Sequence, residues 1–126
     1  MNAFLGIASQ YVPDFLKRYF FNFSSRAVLY CKSHHYQKIA LYGAGDLGIE
    51  VYYRFANEGI NVELWVDMKA NTSTFKLFDK AIQPISDLAT LDPDVNVLIC
   101  SQATVDSMYK ECIKQGVHHD RIVVLR

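Results

Sequence analysis

Apolar residues recur along the chain in two different periods, which predict strands and helices in turn. Short apolar runs bounded by glycine or polar residues are typical of strands in a sheet that is covered on both faces. Between such runs the spacing becomes helical, as in the stripe of Leu47, Val51 and Phe55 that precedes a natural stop at Gly59. The predicted strands cover residues 38–42, 61–66, 81–85, 95–101 and 121–125.

The order of these segments predicts the fold class. Ser86 is placed to cap a short helix, residues 104–116 predict a longer one, and residues 67–80 are expected to form a loop. Strands that alternate with helices predict an α/β fold with a parallel sheet and helices on both faces. The spacing fits a Rossmann-like domain of about five strands, in the order 3-2-1-4-5, over residues 37–126.

The first 36 residues are predicted to form a separate helical segment. Residues 14–36 have the spacing of an amphipathic helix, with a break expected near Ser24 and Ser25. The broad apolar face of this helix consists of Phe15, Leu16, Tyr19, Phe20 and Phe23. Three coverings for it are open: the domain itself, a homodimer or partner-protein interface, and a membrane surface, which is the least favoured.

The sequence GAGDLG at residues 43–48 is a candidate phosphate-binding loop. Gly43 would allow a tight turn after the first strand, Gly45 a close approach of a pyrophosphate, and Gly48 close packing of the following helix. The free N–H groups and the positive dipole end of that helix favour an anion. Asp67 ends the second strand, where a carboxylate can bind ribose hydroxyls; this favours NAD over NADP, although Lys69 keeps NADP open.

The other candidate contacts come from the loop itself and from the end of the predicted fourth strand. Ser101 lies at the expected switch point of the sheet, where its hydroxyl could bind a ligand. Asp46 would repel a pyrophosphate unless its side chain points away. CoA and UDP-sugars would suit the same loop as alternatives to NAD. The predicted cofactor-binding residues are Gly43, Ala44, Gly45, Asp46, Leu47, Gly48, Asp67 and Ser101.

Composition and charge limit the classes of partner and compartment. The net charge is zero and the pI is about 6.9, which gives no electrostatic argument for nucleic acid. Residues 1–36 carry four basic residues and one acidic residue, whereas residues 37–126 carry nine and twelve. Three cysteines without metal-type spacing indicate free thiols in a reduced compartment, and the apolar patterns around Cys100 and Cys112 predict that these two are buried. The N-terminus lacks a signal peptide's pattern and no run is long enough to span a bilayer, so we expect a cytoplasmic protein.

A self-contained catalytic constellation is not found in the sequence. None of the eight tyrosines is followed by lysine four residues later, the pair that short-chain dehydrogenases use for proton transfer. A P-loop and a nucleophile elbow are also missing. The pairs His34–His35 and His118–His119 lack a carboxylate or cysteine at the usual ligand spacing, so no metal site is predicted.

Four stretches of the chain resemble a known family: KIALYGAGDLGIEVYYRFANEGINVELWVDMK, AIQPISDL, VNVLICSQATVDSMYKECIKQGV and RIVVL. Over residues 37–126 the sequence resembles the small Rossmann-like modules of bacterial surface-polysaccharide biosynthesis. Such modules precede the catalytic part of capsular-type nucleotide-sugar dehydratases and the acyltransferase part of certain sugar acetyltransferases. One departure is that family members commonly have two acidic residues at the end of the second strand, whereas here Met68 follows Asp67.

The resemblance implies a nucleotide-binding module with an accessory or regulatory role in the synthesis of surface sugars. Two other hypotheses stay open at this point. The chain could be the NAD-dependent subunit of a nucleotide-sugar oxidoreductase that a partner chain completes. It could also be an interaction protein that has kept the fold and lost the ligand.

Overall fold

The computed structural model describes residues 22–125 of the chain and has an α/β fold. Its strands are β1 (Lys38–Tyr42), β2 (Asn61–Val66), β3 (Phe75–Leu77), β4 (Lys80–Ile82), β5 (Val97–Ile99) and β6 (Ile122–Val123). Four of them form a parallel sheet in the order β2-β1-β5-β6, and β3 and β4 form a separate antiparallel hairpin. This architecture is compatible with a Rossmann-like fold.

Helices cover both faces of the parallel sheet. The α-helices are α1 (Phe23–Ser33), α2 (Asp46–Asn57) and α3 (Val105–Lys114), and the 3-10 helices are Met68–Asn71, Ile85–Thr90 and His119–Arg121. Successive residues of β1 point to opposite faces, so Ile39 and Leu41 pack with α1 and α2 while Ala40 and Tyr42 pack with α3 and Ile85–Thr90. All four are buried, as expected for a central parallel strand.

The predicted third strand does not join the sheet. Only Gln83 pairs with the end of β2: its N–H donates to Trp65 O at 2.9 Å, and its carbonyl accepts from Asp67 N–H at 3.1 Å. The next N–H that would face β2, that of Ile85, donates to the Asn71 side chain at 3.0 Å instead, so the pairing ends after one residue. The other four predicted strands lie in the predicted order, so the sheet has four strands and not five.

Part of the predicted loop at 67–80 is regular structure. It contains the 3-10 helix Met68–Asn71 and strand β3, which turns back into β4 through Phe78 and Asp79. Both turn residues have positive φ, 53° and 65°, as a two-residue hairpin turn requires. Glycine or asparagine usually supplies that conformation, so the Phe-Asp pair gave no signal of a hairpin in the sequence.

Strand β2 changes faces along its length. The pairing of β1 with β2 shifts register between Ile39 and Ala40. Val62 therefore packs on the side of α2, while Leu64 and Val66 pack on the side of α3. The shift leaves the intervening Trp65 on the side of α2, where it is completely buried.

Helix α1 begins at Phe23 and runs through Ser24 and Ser25. Asn22 caps the helix, since its side-chain oxygen accepts a 3.0 Å hydrogen bond from Ser25 N–H. Phe23 is buried in the core shared with α2, and the Ser24 hydroxyl lies 2.9 Å from the Glu50 carboxylate of α2. The remaining residues of the predicted aromatic face lie outside the described residues: Phe15, Leu16, Tyr19 and Phe20.

All three cysteines are buried with free thiols, which confirms the burial predicted for Cys100 and Cys112 and adds that of Cys31. Burial raises the pKa of the Cys31 thiol to about 12, and burial together with the charge of Glu111 does the same for Cys112. The pKa of Cys100 is raised further by burial. Among residues 22–125, no helix combines the length and the hydropathy that crossing a membrane requires.

Candidate functional site

The glycine loop lies where the chain reverses its direction of travel across the sheet. From β1 the chain passes through α2 to β2 on one side, and from β5 it passes through α3 to β6 on the other. The carboxyl ends of β1 and β5 therefore form a topological switch point, the usual place of a ligand crevice in such sheets. Residues 43–48 follow β1 and Ser101 follows β5, so both predicted parts of the site lie at this edge.

Gly43 is held between the two neighbouring strands. Its N–H donates to Val66 O at 2.8 Å, and its carbonyl accepts a 2.8 Å hydrogen bond from the indole N–H of Trp65. Its φ is +120°, and a β-carbon here would lie 2.9 Å from Cys100 O. Glycine is therefore required for both conformation and space.

The other two glycines of the loop have opposite surroundings. A β-carbon on Gly48 would lie 1.9 Å from Gly43 O, so the close packing of α2 against the loop excludes any side chain. A β-carbon on Gly45 would meet no atom within 4 Å. The loop is thus closed toward the protein at Gly48 and open to solvent at Gly45, the position predicted to face a pyrophosphate.

The first turn of α2 presents free backbone donors beside this opening. Gly45 is the N-cap residue, and no side chain caps the helix. The N–H groups of Asp46, Leu47 and Gly48 have no hydrogen-bond acceptor among the described residues. The Asp46 side chain is exposed, whereas Leu47 is half-buried against the core on the α2 side. The turn can therefore donate hydrogen bonds to an anion, although the Asp46 carboxylate adds a negative charge nearby.

Asp67 binds the glycine loop directly. One of its carboxylate oxygens accepts a 2.6 Å hydrogen bond from Ala44 N–H, and the other accepts a 2.8 Å hydrogen bond from Lys69 N–H. The carboxylate thereby ties the end of β2 to the loop after β1. A carboxylate has about four acceptor sites, so two remain for hydroxyl groups of a ligand.

Ser101 stabilises the turn that leads into α3. Its hydroxyl oxygen accepts a 3.1 Å hydrogen bond from Thr104 N–H and lies 3.0 Å from the Thr104 hydroxyl. Ser101 is half-buried, so its hydroxyl is engaged with the protein and not directed freely at the glycine loop.

A cavity of about 340 Å³ opens beside Asp67, on the α3 face of the sheet. It is lined by Tyr42, Asp67, Met68, Thr104, Ser107, Met108 and Glu111. Burial raises the pKa of Tyr42 to about 12, with further contributions from Cys112 and from the charges of Glu111 and Asp67. Apart from Asp67, sequence reasoning missed this group, because its members are far apart in the chain and form no motif.

Trp65, which sequence reasoning also missed, links the loop to an aromatic stack. Its ring stacks on Tyr52 at a centroid distance of 4.7 Å, and Tyr52 stacks on Phe78 at 5.7 Å. The stack runs from the exposed hairpin turn to the buried indole that binds Gly43 O. The signal available in the sequence was that the only tryptophan of the chain lies in the predicted strand that follows the glycine loop and its helix.

The histidine pair at 118–119 has a carboxylate beside it after all. His118, His119 and Asp120 bring ligand atoms within 4.8 Å of one another, all at exposed positions. The three residues are consecutive and already contact each other: His118 Nδ1 accepts from Asp120 N–H at 3.3 Å, and His119 Nε2 lies 3.0 Å from the Asp120 carboxylate. The cluster is therefore accounted for by local contacts within the 3-10 helix.

No family model matches the sequence, and comparisons with curated proteins and with solved structures give no match either.

Proposed function

We propose that this chain is a nucleotide-binding module, with an NAD-type dinucleotide as its first candidate ligand. The observation that carries the proposal is the form of the glycine loop at the switch point. Gly43 and Gly48 are required by close contacts within the protein, whereas Gly45 faces open space. A loop that served only its own packing would need glycine at positions 43 and 48 but not at 45. The open space at Gly45 therefore supports a ligand there.

The phosphates would lie at the start of α2. The N–H groups of Asp46, Leu47 and Gly48 lack acceptors among residues 22–125, and the helix dipole adds a partial positive charge. The exposed carboxylate of Asp46 works against this arrangement. We therefore expect modest phosphate affinity that increases when this charge is removed.

The ribose hydroxyls would bind to the carboxylate of Asp67. Two acceptor sites of this carboxylate are used by Ala44 and Lys69, and the others can accept hydroxyl donors. A carboxylate at this position disfavours a ribose phosphate, which supports NAD over NADP. CoA and UDP-sugars remain alternative ligands, because each also brings a pyrophosphate to the loop.

The biological role that we propose is accessory or regulatory, in the synthesis of bacterial surface polysaccharides from nucleotide sugars. It rests on the resemblance of residues 37–126 to the Rossmann-like modules of that biosynthesis. The four-stranded parallel sheet with helices on both faces is compatible with such a module.

A second candidate function is that of an interaction protein which has kept the fold and lost the ligand. The observation that favours it is that Asp67 already has two hydrogen-bond donors from the protein, Ala44 and Lys69. A carboxylate satisfied in this way stabilises the loop whether or not a nucleotide is present.

Calorimetric titration with NAD, NADP, CoA and UDP-glucose tests the proposal, with the fluorescence of Trp65 as a second readout. The variant Gly45→Val should fold, since the position has space and a φ of −87°, but its side chain would occupy the phosphate position. Ala56→Val, at an exposed position near the other end of α2, is the matched control. Saturable binding that is lost in Gly45→Val and kept in Ala56→Val supports the proposal. A folded protein that binds none of the four ligands favours the interaction protein instead.

A further inference from the structure

The cavity beside Asp67 combines two carboxylates with a tyrosine hydroxyl that has no hydrogen-bond partner among residues 22–125. Tyr42 is only 3% exposed, and its side chain packs between the sheet and α3. Its hydroxyl makes no hydrogen bond to a described residue. Among the described residues, every fully enclosed side-chain oxygen or nitrogen has a hydrogen-bond partner. The Tyr42 hydroxyl has none, so it must be accessible from a cavity or from solvent. The cavity that Tyr42 lines provides this access.

The charges around this cavity have one sign. Asp67 and Glu111 are half-buried in its wall, and no lysine, arginine or histidine contributes to the lining. The Asp67 carboxylate is held in place by Ala44 N–H and the Glu111 carboxylate by the side-chain amide of Gln115, at 3.1 Å. These contacts come from neutral groups, so the two negative charges are not compensated by a cation within the wall. An anion would be repelled here.

The rest of the wall is soft and apolar. Met68 and Met108 supply thioethers to the wall, and Tyr42 supplies an aromatic ring. The hydroxyls of Thr104 and Ser107 are already used, toward Met108 and toward the backbone of Thr104. Calcium or magnesium would find only two carboxylates here and would take its other ligands from water, leaving the thioethers and the ring without a role. Thioethers and an aromatic ring suit an ammonium group that carries carbon substituents.

We propose that the cavity between Asp67 and Glu111 is a binding site for an organic ammonium group. The two carboxylates balance its charge, the Tyr42 hydroxyl accepts a hydrogen bond from it or contacts its polarised methyl groups, and the two methionines contact its carbon substituents. The site lies on the α3 face of the sheet and shares only Asp67 with the proposed nucleotide site. It does not depend on the nucleotide proposal.

Methionine methyl groups provide a direct test. Two of the three methionines of the chain, Met68 and Met108, line the cavity. Protein labelled with ¹³C at the methionine methyls is titrated with choline chloride and, separately, with 3,3-dimethylbutan-1-ol, the uncharged molecule of the same shape. We expect choline to shift the signals of Met68 and Met108 saturably. The alcohol should bind at least tenfold more weakly, because it lacks the charge.

Variants identify the groups responsible. Glu111→Gln should weaken choline binding about tenfold by removing one carboxylate charge. Asp79→Asn removes the same charge from an exposed hairpin turn and should leave binding unchanged. Tyr42→Phe keeps the ring and removes the hydroxyl, and it serves as the second variant if Glu111→Gln fails to fold.

Three results would overturn the proposal. Equal shifts with the alcohol would mean an apolar cavity without charge selectivity. The same shifts with calcium chloride alone would mean a metal site, and no saturable shift with folded protein would mean no site. Binding of any of the four nucleotides without binding of choline would reject this inference and leave the nucleotide proposal standing. Binding of choline with none of the four nucleotides would reject only the nucleotide proposal.

Discussion

The indole N–H of Trp65 donates a buried 2.8 Å hydrogen bond to the backbone carbonyl of Gly43. The bond joins the end of β2 to the first residue of the glycine loop, across the strand boundary. Gly43 O is also the atom against which α2 packs, since a β-carbon on Gly48 would lie 1.9 Å from it. The indole therefore holds this oxygen in place. The geometry of the loop therefore depends on a side chain that belongs to the neighbouring strand.

Replacing Trp65 with phenylalanine should destabilise the protein by about 2–4 kcal/mol, because it leaves a buried carbonyl without its donor and creates a cavity. Urea unfolding followed by far-UV circular dichroism measures the change, since the fluorescence signal is lost with Trp65. Tyr53→Phe is the control, at a side chain that is 60% exposed, and should change the free energy of unfolding by less than about 0.5 kcal/mol. Equal effects of the two substitutions would show that the indole does not hold the loop.

Alanine at Gly48 and alanine at Gly45 should destabilise the protein by very different amounts. Gly48→Ala puts a β-carbon 1.9 Å from Gly43 O, so α2 must move away from the loop, at a cost of about 3 kcal/mol or more. Gly45→Ala meets no atom within 4 Å and should cost no more than about 1 kcal/mol, the usual penalty for alanine at an N-cap. Thermal unfolding of both variants measures the difference. Comparable stabilities would contradict the packing described for Gly48.

Removing the charge of Asp46 should strengthen binding of a phosphate-containing ligand. Asp46→Asn relieves the repulsion at the start of α2, and about a three- to tenfold gain in affinity for the ligand found by titration is expected at low salt. The gain should shrink as the salt concentration rises. The same substitution should lower stability by about 0.3–1 kcal/mol, since a carboxylate in the first turn interacts favourably with the helix dipole. Glu63→Gln, on an exposed residue of β2, provides a control of equal charge change.

The buried cysteines should make the protein less stable in alkali. In the folded chain the pKa values of Cys31 and Cys112 are raised from 9.0 to about 12, so their protons are held while the unfolded chain loses them. The free energy of unfolding should therefore be constant below pH 9 and fall between pH 9 and pH 12. Urea unfolding at pH 7, 9 and 10 checks the slope, which Cys112→Ala should reduce.

The same burial should protect all three thiols from reagents at neutral pH. Cys31, Cys100 and Cys112 are each no more than 6% exposed, and a thiol with a raised pKa is a poor nucleophile. We expect no reaction with Ellman's reagent in the folded protein and three reactive thiols in urea. A rapidly reacting thiol in the folded state would show that the core opens near it.

Much of the fold could be predicted from the sequence because its signals are local. The apolar runs KIALY and NVELWV coincide with β1 and β2, and the stripe of Leu47, Val51 and Phe55 lies within α2. The roles of Gly43 and Gly48 also followed from local geometry, since a tight turn and a close helix leave no room for a side chain. In each case neighbouring residues in the chain determine the outcome.

The predictions that failed depended on distant partners. A strand at 81–85 has a suitable sequence, but residues 80–82 pair with β3 instead, and Asn71 accepts the hydrogen bond from Ile85 N–H that would have extended the contact with β2. The Phe78–Asp79 turn adopts a conformation for which neither residue is favoured. In this turn Phe78 packs on Tyr52, a contact between residues that are far apart in the sequence.

By itself, the sequence determined an α/β chain with a glycine loop between the first strand and the following helix, because hydrophobic period and turn chemistry act over a few residues. Only the tertiary structure decided what surrounds that loop. It brought Trp65 to Gly43, Asp67 to Ala44, and Tyr42 together with Glu111 in one cavity. These contacts depend on strand order and register, which are set by packing over the whole core and leave no short pattern in the chain.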